Sequence, residues 1–292
     1  MRLHRSVGAN LKQKHHYIPE FYLKPWLNPG DNKLTEYRRL KFNHEPYTKL
    51  QIKRRGVAET GWQLNLYTIP DATPDTKQNI ERIFMGAVDA KAALARDWLM
   101  NNPSKKLPVD LRHAWARFVL SLMLRTPEEI GKFKAEVYKA FNTPDAEIKS
   151  TESAAILAAA NLMQDENGMS ILKKADWWTI DTSKVGRKVL TSDHPLILGN
   201  GFKGREGYLA LPIGPRRIFL ALRDASFREE FLRKAMGKIV RETNEVTIGQ
   251  GRRSVYAFDE ESTTEVKRLM GKREFRFTIT SRVYQGTIVR ST

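Results

Sequence analysis

Two adjacent histidines, His15 and His16, are the most chemically distinctive residues of this sequence, which contains only six histidines. They lie between Lys14, a cation, and Tyr17, a phenol. A neutral imidazole can bind a metal ion or transfer protons near neutral pH. Because adjacent side chains on an extended strand point to opposite faces, we expect only one of the two histidines to face a given site. The structural alternative is that one histidine bonds to a backbone group while the other is solvated.

A second polar cluster, Thr191-Ser192-Asp193-His194-Pro195, follows directly after an apolar strand-like segment. Polar residues at strand ends often form sites, and Asp193 or His194 could act as a metal ligand or a general base. Ser192 lies beside them as a candidate substrate contact. The structural alternative is an ordinary turn, because Ser and Asp before a proline favour an Asx turn.

Two further polar residues lie at the end of, or within, apolar helix patterns. Arg125 ends one such pattern, where a guanidinium can bind a phosphate or a carboxylate through two hydrogen bonds. A positive charge at a helix C-terminus also stabilises the helix dipole, which is the structural alternative. Asn244 breaks the apolar face of a later helix pattern, and Glu59 and Glu81 are the candidate carboxylates of the first half.

Helices predominate in the middle of the chain, between strand-like segments. Apolar residues at three- and four-residue intervals predict helices over about 77–101 and 109–125. Thr126, followed by a proline and by Glu129, predicts the N-cap of the next helix. A second capping box, at Ser226, predicts a helix over about 227–248.

Strand patterns occur on both sides of these helices. The segment 34–40 follows a turn cluster at 28–32, and we expect it to close a hairpin-like unit with residues 15–24. Alternating apolar residues from about 176 onwards, including a segment at 188–192 and the last twenty residues, predict further strands.

These patterns indicate an α+β fold. It has an N-terminal β-hairpin region, a central helix bundle and a C-terminal mixed or antiparallel sheet with helices. We expect one domain over residues 1–292, with a basic arm at 1–14, a helical subregion at 77–165 and a sheet subregion at 170–292.

The net charge of +17 is concentrated at the two ends of the chain. Residues 1–60 contain thirteen Lys and Arg and five Asp and Glu. Residues 161–292 contain twenty-four Lys and Arg and sixteen Asp and Glu. Residues 61–160 are nearly balanced, with thirteen against twelve. This distribution favours a polyanionic partner, most simply nucleic acid, over a basic surface that only aids solubility.

Several classes of protein are excluded or disfavoured by composition. The absence of cysteine excludes disulfides, thiolate nucleophiles and cysteine-based zinc sites, and makes the cytoplasm the expected location. No apolar run reaches the length of about 18 residues that a membrane span requires, so we expect no membrane association. Walker A, HExxH and GxSxG motifs are absent, and no GxGxxG lies between a predicted strand and a predicted helix. This disfavours nucleotide-dependent kinases, dehydrogenases, zincins and α/β-hydrolases. The oligomeric state stays open.

The order of several short motifs resembles the DUF4238 family of bacterial and fungal domains of unknown function. The segments that carry the resemblance are 15–23, 65–68, 80–81, 124–127, 191–195, 211–213 and 253–257, together with Asn244. The family usually has asparagine where this chain has His194, so the resemblance favours Asp193 and His16 over His194 as functional residues. It implies positions for a site but no activity.

Our leading hypothesis is a hydrolase acting on nucleic acid, with His16, Asp193, Arg125, His15 and Asn244 as candidate catalytic residues. His16 would be a general base or metal ligand, and Asp193 a metal ligand or an orienting carboxylate. Arg125 would stabilise phosphate charge. A divalent ion such as Mg²⁺ or Mn²⁺ is compatible with this hypothesis, but the sequence assigns no ligand set.

The remaining candidates are substrate contacts: Lys14, Tyr17, Ser192 and His194. The competing hypothesis is a non-catalytic nucleic-acid-binding or interaction protein, in which segment 15–19 is a buried latch between the N-terminal arm and the later sheet. A role as a toxin or defence effector also stays open. The first two hypotheses differ in whether His16 and Asp193 share an open pocket with Arg125.

Overall fold

The computed structural model describes residues 13–41, 48–68, 86–103, 105–141, 148–163, 165–202 and 204–273. These residues form three antiparallel sheets and a set of helices, which confirms the α+β prediction. The expected strands of the last twenty residues, the start of the 77–101 helix and Glu81 lie outside the described residues. No helix within the described ranges is both long and apolar enough to cross a membrane.

The N-terminal part contains two small β units. Strand β1 (Lys14–His16) pairs with β4 (Trp62–Leu64). The two strands that lie between them in sequence, β2 (Leu34–Lys41) and β3 (Thr48–Arg55), pair with each other as a hairpin. The expected pairing of 15–24 with 34–40 is therefore wrong. Residues 20–26 are helical instead, as α1 (Glu20–Leu23) and a 3-10 turn, so they cannot pair with β2.

The helical part comprises α2 (Ala87–Asn101), α3 (Val109–Leu124), α4 (Pro127–Phe141), α5 (Ile148–Leu162) and α6 (Glu166–Lys174). The N-cap prediction is confirmed, because the Glu129 N–H donates to Thr126 Oγ1 over 3.3 Å and α4 begins at Pro127.

The C-terminal part contains strands β5 (Asp176–Asp181), β6 (Thr191–Ser192), β7 (Ile197–Gly199), β8 (Tyr208–Gly214), β9 (Arg217–Leu222) and β10 (Ser254–Ala257). Its helices are α7 (Phe227–Arg233), α8 (Met236–Gln250) and α9 (Thr263–Leu269). One sheet has the strand order β5-β9-β8-β7, and the other has the order β3-β2-β10-β6.

Two expectations for this part need correction. The predicted helix 227–248 is divided into α7 and α8, and the side chain of Ser226 makes no capping hydrogen bond because the residue is itself helical, with φ −60° and ψ −25°. The predicted strand at 188–192 is reduced to β6, because only Thr191 and Ser192 pair with β10.

The β5-β9-β8-β7 sheet is buried on both faces. Leu209, Leu211 and Phe219 pack into the main core with α2 to α5, while Ala210 and Leu220 pack on the side of α8. A third apolar cluster lies between β2, β10 and helices α8 and α9. The N-terminal segment joins the main core through Tyr22 and Trp26, whose polar groups bond Pro212 O and Val189 O. This packing places β1 and α1 beside α2 and the end of α3.

Candidate functional site

Strand β1 directs its two histidines to opposite sides. In the β1–β4 ribbon, His15 lies opposite Gln63 and His16 opposite Trp62. The His15 residue is 1% exposed, whereas the side chain of His16 is 21% exposed. The alternation expected of an extended strand is therefore present, and only His16 can meet a ligand from solvent.

His15 is held as part of the core. Its ring stacks on Tyr67 with a centroid distance of 5.5 Å and an interplanar angle of 8°, and Nδ1 accepts the Tyr67 N–H over 2.9 Å. Burial lowers the pKa of His15 to about 4, and the neighbouring His16 adds to this shift. The imidazole is therefore neutral at neutral pH, as its acceptor role at Nδ1 requires.

His16 lies at an open cleft of about 310 Å³ between α1, α2 and the end of α3. The cleft is lined by His16, Pro19, Glu20, Phe21, Gly86, Asp89, Ala90, Ala93 and Arg125. The Nε2 atom of His16 is buried without a hydrogen-bond partner and lies 3.6 Å from Glu20 Oε1. Burial lowers the pKa of His16, while the Glu20 carboxylate opposes that shift. The cleft thus contains a neutral imidazole next to a carboxylate.

Arg125 forms the inner wall of this cleft and is completely buried. Its guanidinium binds both oxygens of Asp89 over 2.9 and 3.1 Å, and it also donates to the His16 carbonyl over 3.1 Å. The Tyr67 hydroxyl donates to the Arg125 carbonyl over 2.5 Å. These contacts make Arg125 a positioning residue that holds strand β1 against α2. A direct contact between Arg125 and phosphate stays a prediction.

Asp193 lies outside the cleft and is also fully buried. Its two carboxylate oxygens accept the backbone N–H groups of Arg252 and Arg253 over 2.9 and 2.6 Å. Ser192 Oγ accepts the N–H of His194 over 3.2 Å. Segment 191–195 therefore folds as a hydrogen-bonded turn, the structural alternative that the sequence analysis gave for it.

His194 connects this turn to the start of α4. Its Nδ1 lies 3.5 Å from Asp193 Oδ1, and its Nε2 lies 3.4 Å from Thr126 Oγ1. The residue is 2% exposed. Because Thr126 follows Arg125, the 125 and 193 motifs are in contact through buried side chains.

Asn244 fixes the backbone that leads into β6. From α8, its Oδ1 accepts the Leu190 N–H and its Nδ2 donates to the Lys188 carbonyl, each over 2.9 Å. The residue is fully buried. Both ends of the amide are therefore used by main-chain groups, and the site function predicted for Asn244 is untested.

Tyr17 and Lys14 lie on either side of the histidines. The pKa of the buried Tyr17 hydroxyl is raised by burial and by the Asp193 carboxylate. The Lys14 ammonium lies over the ring of Trp62, 4.5 Å from its centroid. Motifs distant in sequence therefore meet in space, but of the predicted site residues only His16 and Arg125 line the cleft.

Sequence reasoning missed the two carboxylates of the cleft. Asp89 is next to Val88, at the edge of the buried stripe of α2, and a buried arginine requires such a partner. Glu20 is four residues after His16, within segment 15–23. Glu59, which was considered, instead accepts the Gly56 N–H over 2.7 Å at a loop.

A buried carboxylate on strand β2, Glu36, was also missed. Glu36 is 2% exposed, and its Oε1 accepts the hydroxyls of Thr60 and Ser254 over 2.5 and 2.9 Å. Its Oε2 lies 2.7 Å from Arg55 Nε. The charge of Glu36 is thus balanced inside the protein.

Within the part of the chain that the structure describes, no group of three or more His, Asp or Glu residues is arranged to hold a metal ion. Asp89 in the cleft is bound to Arg125, and Asp193 to backbone N–H groups. These residues do not fit the Mg²⁺ or Mn²⁺ site that the leading hypothesis allowed, and we derive no step through a metal.

Comparison with known proteins gives one match. A family model described as "Protein of unknown function (DUF4238)" matches residues 14–261, which include β1, the cleft and the Asp193 turn. No curated protein and no solved structure matches the chain.

Proposed function

The chain belongs to the DUF4238 family, and we propose that it is a hydrolase that cleaves phosphodiester bonds of nucleic acid at the cleft beside His16. The observation that carries the proposal is the pairing of His16 and Glu20 at the mouth of an open cleft, with Nε2 and Oε1 3.6 Å apart. Other candidate side chains, those of Asp193, His194 and Asn244, are buried.

His16 is suited to be a general base. Because burial lowers its pKa, the imidazole is neutral near pH 7 and can accept a proton. In the proposed step, His16 takes a proton from the attacking water as the new P–O bond forms. The bond to the leaving sugar oxygen then breaks, and the imidazolium returns the proton to that oxygen. Glu20 stabilises the transient imidazolium by charge.

The surroundings of His16 favour a nucleic acid as substrate. Lys14, His16 and Trp62 share one face of the β1–β4 ribbon, and the Lys14 ammonium lies 4.5 Å from the centroid of the Trp62 ring. A cation beside a partly exposed aromatic ring suits a phosphate next to a stacked base. The charge of +17 over the whole chain favours the same class of substrate.

Arg125 and Asp89 serve this reaction indirectly. The two-bond ion pair and the bond from Arg125 to the His16 carbonyl fix the backbone of the catalytic strand. General acid–base catalysis requires the base to be held within hydrogen-bond reach of its proton. The buried pair provides that rigidity.

The test compares the wild type with His16→Ala and Glu20→Gln on single-stranded and duplex RNA and DNA, with Mg²⁺, Mn²⁺ or EDTA. We expect wild-type cleavage and a loss of about 10²- to 10⁴-fold in His16→Ala, the usual contribution of a general base. His113→Ala is the matched control, because His113 lies on α3, outside the cleft, with its side chain 42% exposed. Equal cleavage by wild type and His16→Ala, or none by the wild type, would sink the proposal.

A second candidate, a non-catalytic nucleic-acid-binding or interaction protein, is favoured by one observation. His15, Asp193 and Asn244 are all buried and all bonded to backbone groups, as a structural latch requires. Under this candidate the wild type binds nucleic acid with the salt dependence of phosphate contacts but cleaves nothing, and His16→Ala binds equally well.

A further inference from the structure

Arg253, the residue before β10, has a backbone that is fixed on both sides. Its N–H donates to Asp193 Oδ2 over 2.6 Å, and its carbonyl accepts the Arg39 N–H over 2.9 Å. Its side chain is 39% exposed and does not line the cleft beside His16. The guanidinium therefore extends from a fixed point, and a substrate in the cleft would not touch it.

The guanidinium of Arg253 joins two elements that are distant in sequence. Its Nε donates to Glu128 Oε1 in the first turn of α4, and its Nη1 donates to Gln63 Oε1 of β4 over 2.9 Å. The two bonds span 125 and 190 residues of the chain. One side chain thus connects the start of α4 to the β1–β4 ribbon.

Gln63 lies on the face of the ribbon that His16 does not share. It is the cross-strand partner of His15, whereas His16 is opposite Trp62. Directly opposite residues of a ribbon point to the same side, and successive residues point to opposite sides. Arg253 therefore holds the ribbon from the side away from the His16 imidazole.

The start of α4 is connected to the same ribbon by a second route. Arg125 lies just before the N-cap of α4, and its guanidinium donates to the His16 carbonyl over 3.1 Å. Glu128, the partner of Arg253, is three residues after Arg125. The ribbon is thus bound to this helix end through the His16 carbonyl and through the side chain of Gln63. Together these contacts form a closed ring around the backbone that carries the imidazole.

We propose that Arg253 is a positioning residue for His16, which holds the β1–β4 ribbon in the orientation that the general base requires. The inference rests on the proposed function, because it assigns Arg253 to the reaction of His16. A general base must lie within hydrogen-bond reach of its proton, and a displacement of about 1 Å can slow a reaction about 10²-fold. Arg253 controls this distance through Gln63 and Glu128.

The pKa of His16 reports the position of the imidazole independently of cleavage. Burial has the largest effect on this pKa and lowers it. The charges that affect it most are those of Glu20, Arg125, Lys14 and Asp89. The charge of Arg253 is not among them. If the ribbon moves outward, the ring becomes more exposed and its pKa rises towards the usual value of 6.5.

The experiment compares the wild type with Arg253→Gln, Gln63→Ala and the double variant. The pKa of His16 is followed by NMR, and its imidazole signal is assigned by its absence from the spectrum of His16→Ala. The values of kcat and KM are measured on the nucleic acids that the wild type cleaves.

Arg228→Gln is the matched control. Arg228 of α7 forms an ion pair with Asp176 of β5, outside the cleft. The two side chains of this pair are 42% and 28% exposed, close to the 39% and 29% of Arg253 and Glu128. The control therefore breaks a similar ion pair without loosening the ribbon.

We expect Arg253→Gln to raise the pKa of His16 and to lower kcat by about 10- to 100-fold with KM nearly unchanged, because no contact with substrate is lost. Gln63→Ala should change both quantities in the same direction. Gln63 is uncharged, so a raised pKa in this variant cannot result from a lost charge. The double variant should be no worse than Arg253→Gln, because both changes remove one shared bond. Arg228→Gln should change neither quantity.

An unchanged pKa of His16 in Arg253→Gln and Gln63→Ala would overturn the inference. Additive effects in the double variant would also overturn it, as would an equal shift in Arg228→Gln, which would indicate general loosening.

The outcome for the proposed function is separate. If the wild type cleaves nucleic acid through His16 but kcat is unchanged in Arg253→Gln, only the positioning role is wrong. If the wild type cleaves nothing, the proposed function is wrong, and the pKa alone decides the inference. A raised pKa then supports the control of the imidazole by Arg253, and an unchanged pKa overturns it.

Discussion

The cleft at His16 and the turn at Asp193 contain the same kinds of side chain in opposite environments. In the cleft, His16 and Glu20 are partly exposed and 3.6 Å apart, and His16 Nε2 has no hydrogen-bond partner. At the turn, Asp193 and His194 are buried, and both oxygens of Asp193 accept backbone N–H groups. A carboxylate that already accepts two backbone N–H groups has little capacity left for a substrate.

The difference shows that motif composition does not distinguish a reactive site from a structural one. Both pairs, His16 with Glu20 and Asp193 with His194, belong to segments that resemble the family motifs. What separates them is access to solvent and the number of hydrogen bonds already made. We therefore expect the turn variants to affect stability and the cleft variants to affect activity.

The largest effect on stability is expected from Asp193→Ala. The variant leaves the N–H groups of Arg252 and Arg253 buried without an acceptor, and each such group costs about 1–3 kcal/mol. We expect a loss of roughly 2–5 kcal/mol in the free energy of unfolding, measured by urea denaturation. Asp193→Asn keeps one acceptor and should lose clearly less. A variant as stable as the wild type but inactive would place Asp193 in the reaction.

A smaller effect is expected from the pH dependence of His15. Its pKa is lowered to about 4 in the folded protein, below the usual value of 6.5, so the unfolded chain binds the proton more readily. The stabilisation is complete above about pH 6.5 and is lost as the pH falls towards 4, by roughly 2–3 kcal/mol. His15→Gln should remove this part of the pH dependence between pH 7 and 4.5. An unchanged profile in the variant would contradict the burial of a neutral His15.

The smallest effect on stability is expected from His16→Ala. The ring makes no hydrogen bond through Nε2 and is partly exposed, so its removal should change the free energy of unfolding by less than about 1 kcal/mol. Thermal unfolding of His16→Ala beside Asp193→Ala measures the contrast directly. If His16→Ala is the more destabilising of the two variants, His16 has a structural role, and the distinction between a reactive cleft and a structural turn is wrong.

Local features of the fold could be predicted because they depend on near neighbours in sequence. The Thr126 cap, the helix ending at Leu124 and the opposite directions of His15 and His16 follow from spacing and strand geometry. The failed capping box at Ser226 has a local cause as well. The Ser226 N–H donates to Asp224 Oδ1 over 2.9 Å, so the side chain that accepts a backbone N–H before α7 is that of Asp224, two residues earlier than predicted.

The partners within the site could not be predicted because they are distant in sequence. Arg125 meets Asp89 across 36 residues and the His16 carbonyl across 109. His15 meets Tyr67 across 52 residues. A buried arginine requires a carboxylate, but only the packing of α2 against α3 selects Asp89 from the others. The sequence therefore identified the motifs without showing which of them would be exposed.

The bond between Arg125 and the His16 carbonyl also has a consequence for the order of folding. It closes a loop of 109 residues, and loop closure over such a distance is entropically unfavourable until the intervening helices have packed. The β1–β4 ribbon and the cleft are therefore expected to assemble late. A nascent or partly folded chain would contain its helices but no cleft, so the reactive histidine would become functional only once the whole domain had formed.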